Sequence, residues 1–333
     1  MKIISWETYR VIHYKSILVG IDPLQALHAG AIKFNPPVEE AIKQATWLAE
    51  KSQAQLTFFA AMDVPEDDLY LSESELAGVT SRLSKFGSEV LNELVGQAKA
   101  RGIAAKSAMA RGQGWVEITH EVLRNGHDLV VVGSRDAGAV ERWLYGSTAR
   151  KLLHICPSQV LVARVGQPAS PQNILVASDF SAVSDEALRT AVQIGAAAGG
   201  KVYLMHAVDF PLDRLWSTGM MDYSSQAYHK QLTDEAKKSL AAQAVRVLGD
   251  GSGMNLELHT TERAVIADSA ILQFIHDHHV DLLVMGTMAR AGIPGVFIGN
   301  TAERLASSVH CSLLAIKPAN FDCPISLPAH ASA

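Results

Sequence analysis

The chain repeats itself. Residues 128-DLVVVG-133 match 281-DLLVMG-286, and thirteen positions beyond each glycine stand 146-GSTARKL-152 and 299-GNTAERL-305. The two 25-residue windows align without a gap at an offset of 153, and their eight identities all fall in the terminal blocks. Upstream, 17-ILVGID-22 pairs with 174-ILVASD-179 at an offset of 157. A chain of 333 residues is long enough for two domains of ordinary size. The repeat therefore reads as a tandem duplication, with one domain over 1–165, a linker at 166–171, a second domain over 172–318 and a tail at 319–333. Gly, two Pro and polar residues in 164-RVGQPASPQN-173 mark the exposed connection.

Within each half, short apolar runs alternate with helical patterns. The first half predicts strands at 16–21, 55–62, 104–110, 128–133 and 159–163, with helices at 38–51, 76–101, 115–125 and 147–154. The second predicts strands at 173–178, 201–208, 254–260, 281–286 and 312–317, with helices at 183–198, 223–248, 265–278 and 300–309. Near-continuous Val, Ile and Leu in the strands point to a parallel sheet covered on both faces. Each half is thus predicted to be a doubly wound α/β domain. Such sheets hold ligands outside the carboxyl ends of their strands, at the switch in strand order.

Aspartates close the first strand of each half, Asp22 and Asp179, and glycines close the fourth, Gly133 and Gly286. After a 12-residue loop, Gly146 or Gly299 precedes a predicted helix start. Unpaired backbone N–H groups and the positive end of the helix dipole suit an anion there, and a glycine lets a phosphate approach closely. Ser147 and Thr148, or Asn300 and Thr301, add polar side chains. A plainer reading stands beside this one. Ser and Asn are ordinary N-cap residues, Asn300 with Glu303 resembles a capping box, and strand-end aspartates serve as turn residues.

Other signals exclude more than they assign. With 29 basic and 34 acidic residues the formal charge is −5, and no basic run marks a nucleic-acid partner. Apolar runs such as Ile17–Ile21 and Leu282–Met285 are far short of the roughly 18–20 residues that a membrane span needs. The N-terminal MKIISWETYR lacks the apolar core of a secretory signal. Three cysteines without metal-ligand spacing fit a reducing cytoplasm. Neither a Walker A motif nor a G-x-G-x-x-G after the first strand is present, and 249-GDGSGMN-255 precedes a strand, so it reads as a turn.

Several residues invite chemistry that their context does not favour. The run 276-HDHHVD-281 could bring His276 and His279 onto one helical face as a metal trap, but polar residues and C-terminal cations are routine at a helix end. Cys156 and Cys311 read as buried thiols, His206 as a residue packed near the sheet edge, and Met220, Met221 and Tyr223 as core or loop. No metal site is assigned, and no catalytic triad or carboxylate pair is recognisable.

The strand-end aspartates in ILVGID and ILVASDFS, with the glycine-spaced loops, resemble the universal stress protein family, whose nucleotide-binding members carry G-x2-G-x9-G-[ST] after the fourth strand. The pairing of GTMARAGIPGVFIGNTAERL with IKPANFDCPI is similar to the tandem, E-type branch. The resemblance covers both halves. It implies a five-stranded parallel sheet per domain in the order 3-2-1-4-5, and pairing of the two domains through their last strands as an intramolecular pseudo-dimer, the chain being a monomer or a homodimer. It also implies an adenine nucleotide (ATP, ADP or AMP, with Mg²⁺ as companion ion), held by Asp22, Gly133, Gly146, Ser147 and Thr148 in the first half and by Asp179, Gly286, Gly299, Asn300 and Thr301 in the second.

The chain departs from that pattern at the second glycine, which is Asp136 in one half and Ala289 in the other. An ionised Asp about 5 Å from a phosphate charge costs ~3 kcal/mol at an effective dielectric of about 20. Ala289 adds only a methyl group, and Arg135 and Arg290 lie close enough in sequence to offset negative charge. The second domain is therefore the favoured nucleotide site. The expected function is a cytoplasmic, non-catalytic stress-response sensor or adaptor with weak or absent ATP hydrolysis. The alternative is an interaction protein with decayed nucleotide sites that binds another, apolar ligand or a protein partner.

Overall fold

The computed structural model describes residues 11–28, 31–32, 34–63, 72–134, 146–210, 225–249, 255–261, 266–287 and 300–328. Backbone proximity divides the chain into two compact units. One comprises His13–Ala169 with Asn320–Ala333, and the other Ser170–Ala319 with Met1–Ile12.

In the unit that begins at His13, the strands are β1 (Ser16–Ile21), β2 (Gln55–Met62), β3 (Ala105–Arg111), β4 (Leu129–Gly133) and β5 (Gln159–Ala163). All neighbours run parallel, in the order β3-β2-β1-β4-β5. Helices α1 (Pro36–Ser52), α2 (Glu73–Ala100), α3 (Gly114–Asn125) and α4 (Ser147–Ile155) make the crossovers. The other unit has β6 (Asn173–Ala177), β7 (Lys201–His206), β8 (Leu256–Thr260), β9 (Leu282–Gly286) and β10 (Ser312–Ile316), ordered β8-β7-β6-β9-β10 and again parallel. Its helices are α5 (Ala182–Ala198), α6 (Ser225–Leu248), α7 (Ala267–Asp277) and α8 (Asn300–Ser308). Each unit is the doubly wound α/β sheet that the alternation predicts, with the 3-2-1-4-5 order.

The core sits where helices cover both sheet faces. Ile17, Leu18 and Val19 of β1 and Leu129, Val130 and Val131 of β4 are fully buried, as are Ile174, Leu175 and Val176 of β6. Burying each such side chain contributes about 1.5–3 kcal/mol. The edge strands β3 and β8 are only partly covered. The repeated aspartate of DLVVVG and DLLVMG ties each central pair together: Asp128 Oδ2 accepts from the amides of Lys15 and Ser16 at 2.6 and 2.8 Å, and Asp281 Oδ2 from those of Gln172 and Asn173 at 2.7 and 2.9 Å.

Most element limits differ from the sequence expectation by a residue or two, for local reasons. Helix α1 starts at Pro36, two residues early, because Asn35 caps the amide of Val38 and proline suits a first turn that needs no N–H. Helix α2 starts at Glu73 because Ser72 and Glu75 form a capping box. Those bonds also hold the Glu75 carboxyl below its ordinary range. Strand β7 stops at His206 rather than 208, since the amide of Val208 turns to the Thr261 hydroxyl at 2.8 Å. The sequence pattern missed a 3₁₀ turn at Pro23–Ala26 and a two-residue antiparallel ribbon, Leu27–His28 with Ala31–Ile32.

Candidate functional site

Strand order reverses between β1 and β4, so their carboxyl ends splay and leave a crevice. Asp22 leaves the end of β1 and accepts the amide of Leu24 at 3.1 Å, opening the 3₁₀ turn. Gly133 ends β4. A Cβ there would collide with the Pro37 carbonyl oxygen, so the glycine lets the first turn of α1 press onto the strand. Packing accounts for this glycine without any ligand. Gly146 precedes α4 as its N-cap, with φ −55° and ψ 152° and no side-chain cap. Ser147 is therefore the first residue of the helix and not its cap, contrary to the plainer reading. The start of α3 at Gly114 also lacks a side-chain cap, and a Cβ on Gly114 would stand 3.6 Å from Thr148 Oγ1, so the two helix starts adjoin.

These features converge on one cavity of about 620 Å³. Asp22, Gly133, Gly146, Ser147 and Thr148 all line it, joined by Asn35, Phe59, Asp63, Leu83, Gly114, Ile118 and Ser134. The five first-half residues singled out from sequence are thus brought to one hollow. Sequence reasoning missed Asp63, Asn35 and Leu83. Asp63 had a signal, because 59-FAAMD-63 and 205-MHAVD-209 put an aspartate after the second strand of each half. The lining contains two carboxylates and, among the described residues, neither Lys nor Arg.

In the other unit, Asp179 makes the equivalent turn and accepts the Ser181 amide at 3.0 Å. The next residue, Phe180, adopts φ +66° and lays its ring 4.3 Å from that of His206, whose Nδ1 contacts the Ser178 carbonyl oxygen at 2.8 Å. A non-glycine residue in the left-handed region is strained. A Cβ on Gly286 would meet Val183 Cγ1 at 2.9 Å, the counterpart of the Gly133 contact. Asn300 is the first residue of α8, and Thr301 follows in the same turn. Gly299, Ala289 and Arg290 lie outside the described residues, as do Arg135, Asp136, Met220, Met221 and Tyr223.

The histidines of 276-HDHHVD-281 separate. The Gln273 amide, helped by His276 at 3.1 Å, holds the Asp277 carboxyl below its usual range. His278 stacks on Phe274 with ring centroids 3.8 Å apart, and His279 has φ +48° beyond the helix end. His276 and His279 therefore do not share a helical face. Among the described residues no group of three or more His, Cys, Asp or Glu side chains converges as a metal site, and no helix is long and apolar enough to cross a membrane. Cys156 and Cys311 are buried thiols outside any disulfide, while Cys323 donates to the Ile155 carbonyl at 3.4 Å.

Comparison with known proteins agrees with this architecture. The family model described as "Universal stress protein family" matches residues 13–164 and again 171–317. The Universal stress protein E homolog of Haemophilus influenzae is 28% identical over 214 residues, covering 62% of this chain and 67% of that protein. Universal stress protein E of Escherichia coli is 24% identical over 219 residues, covering 63% and 67%. Among solved structures, a functionally unknown protein from Pseudomonas aeruginosa superposes with a TM-score of 0.64 at 19% identity, covering 94% of this chain and 95% of the other. A universal stress protein from Archaeoglobus fulgidus gives 0.62 at 19% identity, covering 90% and 97%. At that identity the structures speak for the fold, and the twofold match of the family model speaks for kinship. With both halves accounted for in register, the chain belongs to the universal stress protein family.

Proposed function

We propose that this chain is a non-catalytic, ligand-binding stress protein whose described site, the 620 Å³ cavity of the first unit, holds an adenine nucleotide or a close relative. The observation that carries this reading is the convergence of Asp22 with the uncapped start of α4 on one hollow. Free N–H groups at Ser147 and Thr148 supply anion donors, Asp22 supplies an acceptor for an amine or a hydroxyl, and Ile21, Phe59, Leu83 and Ile118 supply apolar walls for a base. The volume lies within the ~300–1,000 Å³ typical of small-molecule sites. ATP, ADP and AMP are the probes to compare, with Mg²⁺ as an optional bridge between phosphate and carboxylate. The second unit, with Asp179, Gly286, Asn300 and Thr301, enters the proposal as a further candidate through its repeat.

Gly146→Val tests the site at a cost to the fold of about 1 kcal/mol, because φ −55° and ψ 152° suit a β-branched residue while valine is a poorer N-cap than glycine. The variant places two methyl groups at the entrance to α4, and AMP binding by calorimetry is expected to weaken tenfold or more with the thermal midpoint lowered by only a few degrees. Undiminished AMP binding in a folded Gly146→Val protein would remove the cavity from consideration. The apolar part of the lining favours a second reading, a hydrophobic ligand. Copurification of an apolar small molecule, with no response to any adenine nucleotide, would select it.

A further inference from the structure

Helix α3 runs from the cavity, which Gly114 and Ile118 line, to Asn125, and a buried imidazole lies just beyond its end. His127 Nδ1 stands 2.8 Å from Ser16 Oγ at the start of β1. Its Nε2 is buried and makes no hydrogen bond, although Glu121 Oε1 lies 3.6 Å away. That same oxygen accepts from Asn125 Nδ2 at 2.8 Å. Glu121 is itself buried, whereas Asn125 is exposed. One carboxylate oxygen therefore stands between an amide that it bonds and a ring nitrogen that it does not quite reach. A proton on Nδ1, assigned from this network, explains the gap. The neutral ring then donates to Ser16 and turns the bare lone pair of Nε2 toward the carboxylate, and two acceptors hold each other apart.

We propose that the end of α3 is a proton-operated switch: uptake of a proton at His127 Nε2 draws Glu121 Oε1 off Asn125 and onto the ring, and loss of that proton sends the carboxylate back. The exchange replaces a bond that water can make at the exposed amide with a charge-assisted one inside the protein. Burial holds the imidazole below its ordinary pKa, and Lys106 of β3 acts the same way, against the upward pull of Glu121 and Asp128. The other neighbours are hydroxyls, Ser16 on the ring and Ser158, just before β5, on the His127 carbonyl. The switch is accordingly silent at neutral pH and acts on acidification.

The test is NMR of the imidazole and carboxamide nitrogens of the full-length protein, titrated downward from about pH 8, for the native chain, Glu121→Gln and Asn125→Ala. In the neutral ring the proton is expected on Nδ1. On acidification of the folded protein Nε2 gains a proton, and the Asn125 carboxamide signal moves with the same midpoint. Glu121→Gln removes the carboxylate and shifts the His127 midpoint to lower pH. Asn125→Ala removes the competing amide and shifts it to higher pH, and this variant decides alone if Glu121→Gln does not fold. A neutral ring protonated on Nε2 would overturn the proposal. So would an Asn125 signal that stays still while His127 titrates, a midpoint unmoved in Asn125→Ala, or unfolding before any charged ring forms.

Discussion

His127 shows how much one side chain can be asked to do away from the cavity. Its imidazole is fully enclosed, with Nδ1 2.8 Å from Ser16 Oγ and Nε2 3.6 Å from Glu121 Oε1. Burial disfavours the charged ring and holds its pKa below the ordinary 6.5, although Glu121 and Asp128 pull upward while Lys106 pushes down. The unfolded chain therefore takes up this proton first as pH falls. The contribution is complete above about 6.5 and is lost between there and the lower folded-state value. Urea midpoints are expected to fall between about pH 7 and pH 5.5, and His127→Gln, which keeps a polar partner for Ser16, is expected to flatten that slope. An equally steep slope in the variant would assign the loss to other groups. The sequence contains His127 without advertising it, because the second half carries Val280 at the matching place. Repetition draws the eye to shared residues and away from this one.

At the scale of elements, the two strand-end glycines look alike in sequence and differ in what constrains them. A Cβ on Gly133 would collide with backbone, the Pro37 carbonyl, whereas on Gly286 it meets the Val183 side chain at 2.9 Å. A carbonyl can retreat only if α1 shifts, while a valine has other rotamers. Gly133→Ala is thus expected to cost about 2–3 kcal/mol and Gly286→Ala about 1 kcal/mol or less, as denaturant melts would report. Equal costs would mean that α1 yields as easily as one side chain. The strand and helix order was legible because parallel strands buried on both faces write continuous apolar runs. Helix starts were less so. Asn35 and Ser72 fix them through bonds to amides three residues on, and a hydrophobic period does not register those bonds. The convergence of Asp22 with Ser147 was anticipated from the family's motif. The place of Asp63 was not, since its meaning depends on which strands are neighbours.

For the whole molecule, the division into units does not follow the division into repeats. The tail that sequence reading set apart as 319–333 groups with the first unit from Asn320 onward, and the residues up to Ile12 group with the second. Cys323 marks the attachment, with its thiol on the Ile155 carbonyl at the end of α4. Removing residues 320–333 is therefore expected to loosen the N-terminal unit. Amide exchange should accelerate around α4 and β5 while β6 to β10 keep their protection. Acceleration confined to the second unit would contradict the grouping. The order of synthesis gives this arrangement a further consequence. A ribosome must translate all of the second repeat before Cys323 emerges, so the unit begun first receives its final contact last. During that interval the carbonyl that ends the helix opening onto the cavity lacks the thiol that will later meet it.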